Sequence, residues 1–407
     1  MSGVSRRVIL GGLTVAPLAM PGLIRAQTNS KPVRIGLLSD MGGPYRDVGG
    51  PGNRVATELA IQDFGGSVLG RPIEVLQADD QNKPDIASSL AREWIDNQGV
   101  DVLADGAASS AGLAVLQVAR EKKRIYLVTG PASSDFTGKQ CSPYSAHFSY
   151  DTYALAHSTG NALTKAGGDS WFFITADYAF GYALERDTMN AVKAAGGKVL
   201  GAVRAPLGTA DFSSYLVQAQ ASGAKVIGMA NAGTDLQNCL KQSAEFGMSR
   251  QGIRIATLLM QISDVNSLGQ KICEGFVYTD SFYWDMTDKT RAWSKRWGDK
   301  MGGMVPGLLH AGSYCATYHW LKAVKAAGTT EAGAVMAKMK ATPINDFYNT
   351  DVKIREDGRV MHEMYLWQVK PVAESKYKYD FCKKLASISP ADAWRPLKDG
   401  GCPLVKA

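Results

Sequence analysis

From Val33 onward, short apolar runs rich in β-branched residues alternate with stretches of helical period, and that alternation leaves few folds open. Runs that read as buried strands lie at Val33–Leu38, Ile73–Gln77, Val102–Ala104, Ile125–Val128, Trp171–Thr175, Val199–Val203, Val226–Met229, Ile253–Leu258 and Phe276–Thr279. Between them, helical spacing is clear at Ile86–Asn97, Gly112–Lys122, Asp235–Phe246 and His310–Ala327. Helix starts are signalled by Lys83-Pro84-Asp85, Thr209-Ala210-Asp211 and Gly233-Thr234-Asp235, and glycines 99, 223, 247 and 328 close helices. Strand–helix alternation of this regularity implies parallel sheets covered by helices on both faces. A chain of 407 residues exceeds one ordinary core, and no low-complexity linker divides it, so two domains joined by short connections are expected.

The first 26 residues do not share this pattern. Ser5-Arg6-Arg7 precedes Val8-Ile9-Leu10 and a stretch rich in Gly, Ala, Leu and Pro that ends at Leu23-Ile24-Arg25-Ala26. This is the layout of a cleaved export signal, and the paired arginines favour the twin-arginine route. The apolar run is too short and too interrupted by proline to span a bilayer. No other stretch approaches the ~20 apolar residues a membrane helix needs. Removing the leader takes three arginines and no acid, which lowers the formal charge from +7 to +4. That balance, with no basic stripe, argues against a nucleic-acid partner.

Six cysteines, at 141, 239, 273, 315, 382 and 402, contain no Cys-x-x-Cys, and the five histidines (147, 157, 310, 319, 362) show no ligand spacing. A metal site is therefore not expected. In an oxidising compartment some cysteines should pair. Cys382 and Cys402 flank a proline-containing tail of little periodicity, which makes them the expected disulfide, with the others buried thiols. Fifteen connectivities exist if all six pair. The chain also lacks a Gly-x-Ser-x-Gly elbow, a His-Glu-x-x-His, a Gly-x-Gly-x-x-Gly and a phosphate loop, so neither an enzyme nor a cofactor is expected.

Five segments in order carry a resemblance. They are Ile35-Gly36-Leu37-Leu38-Ser39-Asp40-Met41-Gly42-Gly43-Pro44, then Leu69-Gly70-Arg71-Pro72-Ile73-Glu74-Val75 with Ala78-Asp79-Asp80-Gln81-Asn82-Lys83-Pro84, then Asp105-Gly106-Ala107-Ala108-Ser109-Ser110. Tyr126-Leu127-Val128-Thr129-Gly130-Pro131-Ala132-Ser133-Ser134 and Ala176-Asp177-Tyr178-Ala179-Phe180-Gly181 follow. Together they resemble the type I periplasmic solute-binding proteins of ABC importers, in the leucine/isoleucine/valine-binding branch. The resemblance spans residues 32 to about 370. It implies two Rossmann-like α/β lobes joined by three hinge crossings, with a ligand cleft between them. The crossings are expected near Ser149–Asp151, Asp280–Trp284 and Asp357–Met361. Lobe one would be 32–149 plus 283–358, and lobe two 150–282 plus 359–407. The implied setting is the periplasm, with permease subunits and their ATPases as partners, and a monomeric receptor free of the membrane once the leader is removed. A free receptor serving a sensor system is the alternative of another class.

Ligands of open α/β sheets sit at the carboxyl ends of strands, where helix N-termini present free N–H groups. Ser109 and Ser110 lie between a strand and a helix, and Pro131, Ala132 and Ser133 follow the next strand. The resemblance implies ligand contact through the Ser109 and Ser133 hydroxyls and nearby backbone, a role compatible with plain helix capping. Tyr178 and Phe180 would face the cleft from lobe two. Gln261 stands where amino-acid binders of this branch carry a carboxylate for the ligand ammonium, and the loop at Ala232 has no acid before Asp235. An unpaired buried ammonium would cost several kcal/mol. An aromatic carboxylate, a benzoate or phenylpropanoid, is therefore expected, with a branched-chain amino acid or short amide as the alternative. Tyr45 and Arg46 lie at the first lobe's cleft edge, where Arg46 suits a carboxylate; a solvated loop arginine fits the position equally. Tyr283, in the aromatic run of the second crossing, completes the set.

Overall fold

The structure, a computed structural model, describes residues 1–3 and 31–406. Most of the expected export leader, with its arginine pair and cleavage site, lies outside the described residues. Among the described residues no helix is long and apolar enough to cross a membrane.

Every strand read from the sequence is present. Six strands form the first sheet: β1 (Val33–Ser39), β2 (Ser67–Val68), β3 (Arg71–Asp79), β4 (Val102–Asp105), β5 (Ile125–Val128) and β6 (Ser145–His147), in the order β2-β3-β1-β4-β5-β6. All its pairings are parallel except β2 with β3. A second, parallel sheet has the order β10-β9-β7-β8, from β7 (Ser170–Ala176), β8 (Lys198–Ala205), β9 (Val226–Ala230) and β10 (Arg254–Thr257). The two sheets are wound alike. β1 lies between β3 and β4, and β7 between β8 and β9, which creates a topological switch point at the carboxyl end of each.

A third, antiparallel sheet joins β11 (Val277–Asp280), β12 (Met364–Val369) and β13 (Cys382–Ile388). The last two strands were not expected. Only β13 lies in the stretch read as an irregular tail, because it exposes most of its side chains and lacks an apolar run; β12 precedes that stretch.

Side-chain alternation along β1 explains how its sheet is covered on both faces. Val33, Ile35 and Leu37 pack against Trp320, Leu321 and Val324 of the helix Leu308–Ala327, while Leu38 turns to the opposite core with Leu103 and Val115. The second sheet buries Phe172 and Ile174 against Phe212, Leu216 and Leu236, and Trp367 of the third sheet joins that cluster.

The disulfide expectation is corrected. Cys402 pairs with Cys141, with Cα atoms 5.6 Å apart, and Cys382 is a buried thiol 3.2 Å from the Tyr278 hydroxyl. Cys382 opens β13 and is held by ladder bonds, so it has no freedom to turn toward the tail. The tail instead returns to the segment after β5, where Arg395 donates to the Ser134 carbonyl at 2.8 Å.

Candidate functional site

The carboxyl ends of the parallel strands of the two sheets converge on a cavity. Nearly every residue lining it follows directly on a strand. Tyr45 and Val48 come after β1, Ala107 after β4, Gly130 and Ala132 after β5, and Tyr150 after β6. From the second sheet come Tyr178 and Phe180 after β7, Ala232 after β9, and Leu259 and Gln261 after β10. Leu309, at the start of the helix Leu308–Ala327, closes one side. The convergence follows from parallel topology, which puts every strand-to-helix loop of a sheet at the same end.

The loop carrying Tyr45 is shaped by Asp40. This buried carboxylate accepts from the N–H groups of Gly43 (2.5 Å) and Tyr45 (2.8 Å) and from the Asn82 amide (2.7 Å). So held, the loop reaches the second sheet. The hydroxyls of Tyr45 and Tyr178 meet at 2.5 Å, and the N–H of Thr234 donates to the Pro44 carbonyl at 3.2 Å. Burial raises the pKa of both phenols, so they are neutral donors and acceptors. Tyr150 is fixed by its own hydroxyl, which donates to the Gly130 carbonyl at 2.8 Å. Its backbone carbonyl accepts from Arg359 at 3.0 Å. Arg359 is fully buried, stacks 4.1 Å from the Trp394 ring and lies 3.5 Å from Asp151.

Among the described residues no charged side chain lines this cavity. The acids around it are already engaged. Asp235 accepts from the N–H of Gly208 and is pushed up to about 7 by burial. Asp264 accepts from the Gln261 N–H and the Gln237 amide, each at 2.8 Å, and burial pushes it up to about 6. By contrast, the Oε1 of Gln261, in a side chain that is 97% buried, has no hydrogen-bond partner among the described residues. Such an atom is costly unless something arrives to donate to it.

Six of the residues singled out in the sequence line the cavity: Tyr45, Ala132, Tyr178, Phe180, Ala232 and Gln261. The others are placed elsewhere. The Ser109 hydroxyl accepts from the N–H groups of Ala132 (3.2 Å) and Ser133 (3.1 Å), tying the two loops together behind the cavity wall. Ser133 caps a short 3-10 turn through the N–H of Asp135. Ser110 is half-buried in the first turn of the helix Ser109–Glu121. The Pro131 carbonyl meets the His147 ring at 2.8 Å. Tyr283 is a core residue: its hydroxyl donates to the Tyr379 carbonyl and accepts from the N–H groups of Phe381 and Cys382, 4.8 Å from the Trp367 ring. Arg46 lies outside the cavity, in an adjoining pocket, with its side chain 58% exposed.

Sequence reasoning passed over Val48, Ala107, Gly130, Tyr150, Leu259 and Leu309. All but Leu309 lie in loops that follow a strand end.

The sequence profile of the periplasmic binding protein family matches residues 32–377. A periplasmic binding protein from Burkholderia mallei is 47% identical, with a TM-score of 0.90 over 92% of this chain and 100% of that one. A branched chain amino acid ABC transporter periplasmic ligand-binding protein from Burkholderia xenovorans is 36% identical, with a TM-score of 0.80 over 91% and 99%. The Leu/Ile/Val-binding protein homolog 6 of Brucella melitensis is 25% identical over 63% of this chain, and the chain spans 66% of that relative's length. The two similarly wound sheets facing one cavity are thus the two lobes of a type I binding protein, and this chain belongs to the periplasmic binding protein family.

Proposed function

We propose that this protein is the exported receptor of an ABC importer and that it closes its two lobes on a small aromatic carboxylate for delivery to a membrane permease. The observation that carries the reading is the lining of the inner cavity. Tyr45, Tyr150, Tyr178 and Phe180 offer aromatic surface, and Val48, Leu259 and Leu309 offer aliphatic surface. Ring-on-ring packing suits a flat aromatic body. An α-ammonium would find no carboxylate there, and burying it unpaired would cost several kcal/mol. Lobe one is taken as residues 32–149 plus 283–358 and lobe two as 150–282 plus 359–407, so Tyr45–Tyr178 and Pro44–Thr234 become contacts between lobes that exist only when the cleft is shut. The partners are a permease and its ATPases, the compartment is the periplasm, and no chemical step is assigned to the site.

A second reading, a branched-chain amino acid as ligand, is favoured by the Burkholderia xenovorans relative, a branched chain amino acid ABC transporter ligand-binding protein, and by the unpaired Gln261 Oε1, to which an ammonium could donate. A thermal-shift screen of the ligand-stripped chain from Gln27 onward separates the two. A ligand at ~100 times its Kd adds about 2.7 kcal/mol, so benzoates and arylpropanoates should raise the melting temperature and leucine should not. Stabilisation by leucine alone would replace the first reading with the second.

A further inference from the structure

Beside the inner cavity lies a second pocket, lined by Arg46, Ser263, Trp297, Met301, Met304 and His310 among others. The two spaces share a partition. Tyr45 lines the inner cavity and Arg46 the outer pocket; the same is true of Val48 and Gly49, of Gln261 and Ile262, and of Leu309 and His310. At four places consecutive residues therefore serve opposite sides, and the partition is one layer of chain. Part of that layer follows β1, part follows β10 and part opens the helix Leu308–Ala327, so it is built from segments of both sheets' carboxyl ends. Separation of the lobes opens it.

Resting on the aromatic-carboxylate reading, we infer that the two pockets form one bipartite site for an arylalkanoic acid, with its ring in the inner cavity and its carboxylate reaching Arg46 through the seam beside Gln261. Three observations favour this placing of the carboxylate. Among the described residues no cationic side chain lines the inner cavity. The amides of Ala132 and Ser133, an obvious backbone anchor, are engaged by the Ser109 hydroxyl. Among the described residues the Arg46 guanidinium meets only Asp47, at 3.5 Å and well exposed, so its fork is open to a second carboxylate. The indole of Trp297 and the side chains of Met301 and Met304 give the alkyl arm an apolar floor. The Ser263 hydroxyl, buried without a partner among the described residues, adds a donor beside the arm. His310 brings no charge, because its Nδ1 accepts from the Gly307 N–H and burial pushes its pKa down to about 4.

The test compares benzoate, phenylacetate and 3-phenylpropanoate by calorimetric titration against wild type and against Arg46→Met, which keeps the apolar stem and removes the fork. Affinity should rise at least tenfold from benzoate to 3-phenylpropanoate in wild type, and Arg46→Met should abolish most of that gain. Benzoate binding as tightly as 3-phenylpropanoate, or an unchanged gain in Arg46→Met, overturns the bipartite site while leaving the aromatic-carboxylate reading intact. Failure of all three acids to bind overturns both. Ser263→Phe, which fills the outer pocket from lobe two, is the independent check: it should weaken 3-phenylpropanoate far more than benzoate, and equal effects count against the arm's path.

Discussion

Replacing Gly233 by alanine tests whether the loop after β1 closes against the second lobe as described. Gly233 begins the helix Gly233–Glu245 with φ +59, and an added Cβ would lie 2.3 Å from the Pro44 carbonyl oxygen and 3.0 Å from the Tyr45 ring. Two effects follow, and they are separable. The left-handed backbone costs a non-glycine residue about 1 kcal/mol wherever the lobes stand, so it lowers folding stability and leaves affinity alone. With the lobes closing as proposed, the clash with Pro44 exists only in the closed form. Relieving it moves the loop away and breaks the Thr234–Pro44 bond and the Tyr45–Tyr178 bond, at about 1 kcal/mol each. The closed, ligand-bound form therefore loses about 2 kcal/mol relative to the open form, which weakens binding roughly thirtyfold. Gly252→Ala is the control, because Gly252 has φ +83 with open space around it. It should show the backbone penalty with unchanged affinity. Calorimetric titration and denaturant melts of both variants read the two effects. A Gly233→Ala protein that is destabilised yet binds like wild type would refute the closing contact.

Other consequences are read more simply. Tyr45→Phe and Tyr178→Phe should each weaken ligand binding by about 1 kcal/mol, and the double variant by less than the sum, as a double-mutant cycle on the dissociation constants will show. Cys141→Ser or Cys402→Ser should lower unfolding free energy by about 2–4 kcal/mol in urea melts, whereas Cys382→Ser, which touches no disulfide, should leave the Cys141–Cys402 bond intact by mass mapping. Asp105 is fully buried between the Ser39 hydroxyl and the Asn53 amide, and burial pushes its pKa up to about 8. The folded state then carries one proton more than the unfolded state between about pH 4 and pH 8, so this group's contribution is full below that window and is lost as pH rises through it. Asp105→Asn should remove a negative stability slope of up to about 1.4 kcal/mol per pH unit. Parallel wild-type and variant slopes from pH 5 to 8 would contradict it.

The parallel sheets were legible because their strands are buried on both faces and so read as unbroken apolar runs. Val226, Ile227 and Met229, for example, are fully buried. Strand β13 escaped for the opposite reason: it is the edge of an antiparallel sheet and carries Lys383 and Lys384 to solvent, whereas β12, Met364–Val369, does hold an apolar run and was passed over. At the cleft, the resemblance and the expected cleft edge singled out Tyr45, Tyr178 and Gln261, which line the cavity, and position after a strand end singled out the serines. Neither signal could tell a side chain lining the cavity from one turned behind it, as with Ser109 and Ser133, or from its neighbour across a partition, as with Arg46. The Cys141–Cys402 pair spans 261 residues and depends on the tail folding back past β13, which no local pattern encodes.

The central claim is that the cleft accepts an aromatic acid and rejects an ammonium. Its most direct test is a calorimetric titration of the ligand-stripped chain from Gln27 onward with 3-phenylpropanoate and, separately, with leucine. Saturable binding of the acid with no heat from leucine is the predicted result. Saturable binding of leucine with none of the acid would contradict the account and mean that an acid such as Asp235 or Asp264 turns into the cavity to meet the ammonium.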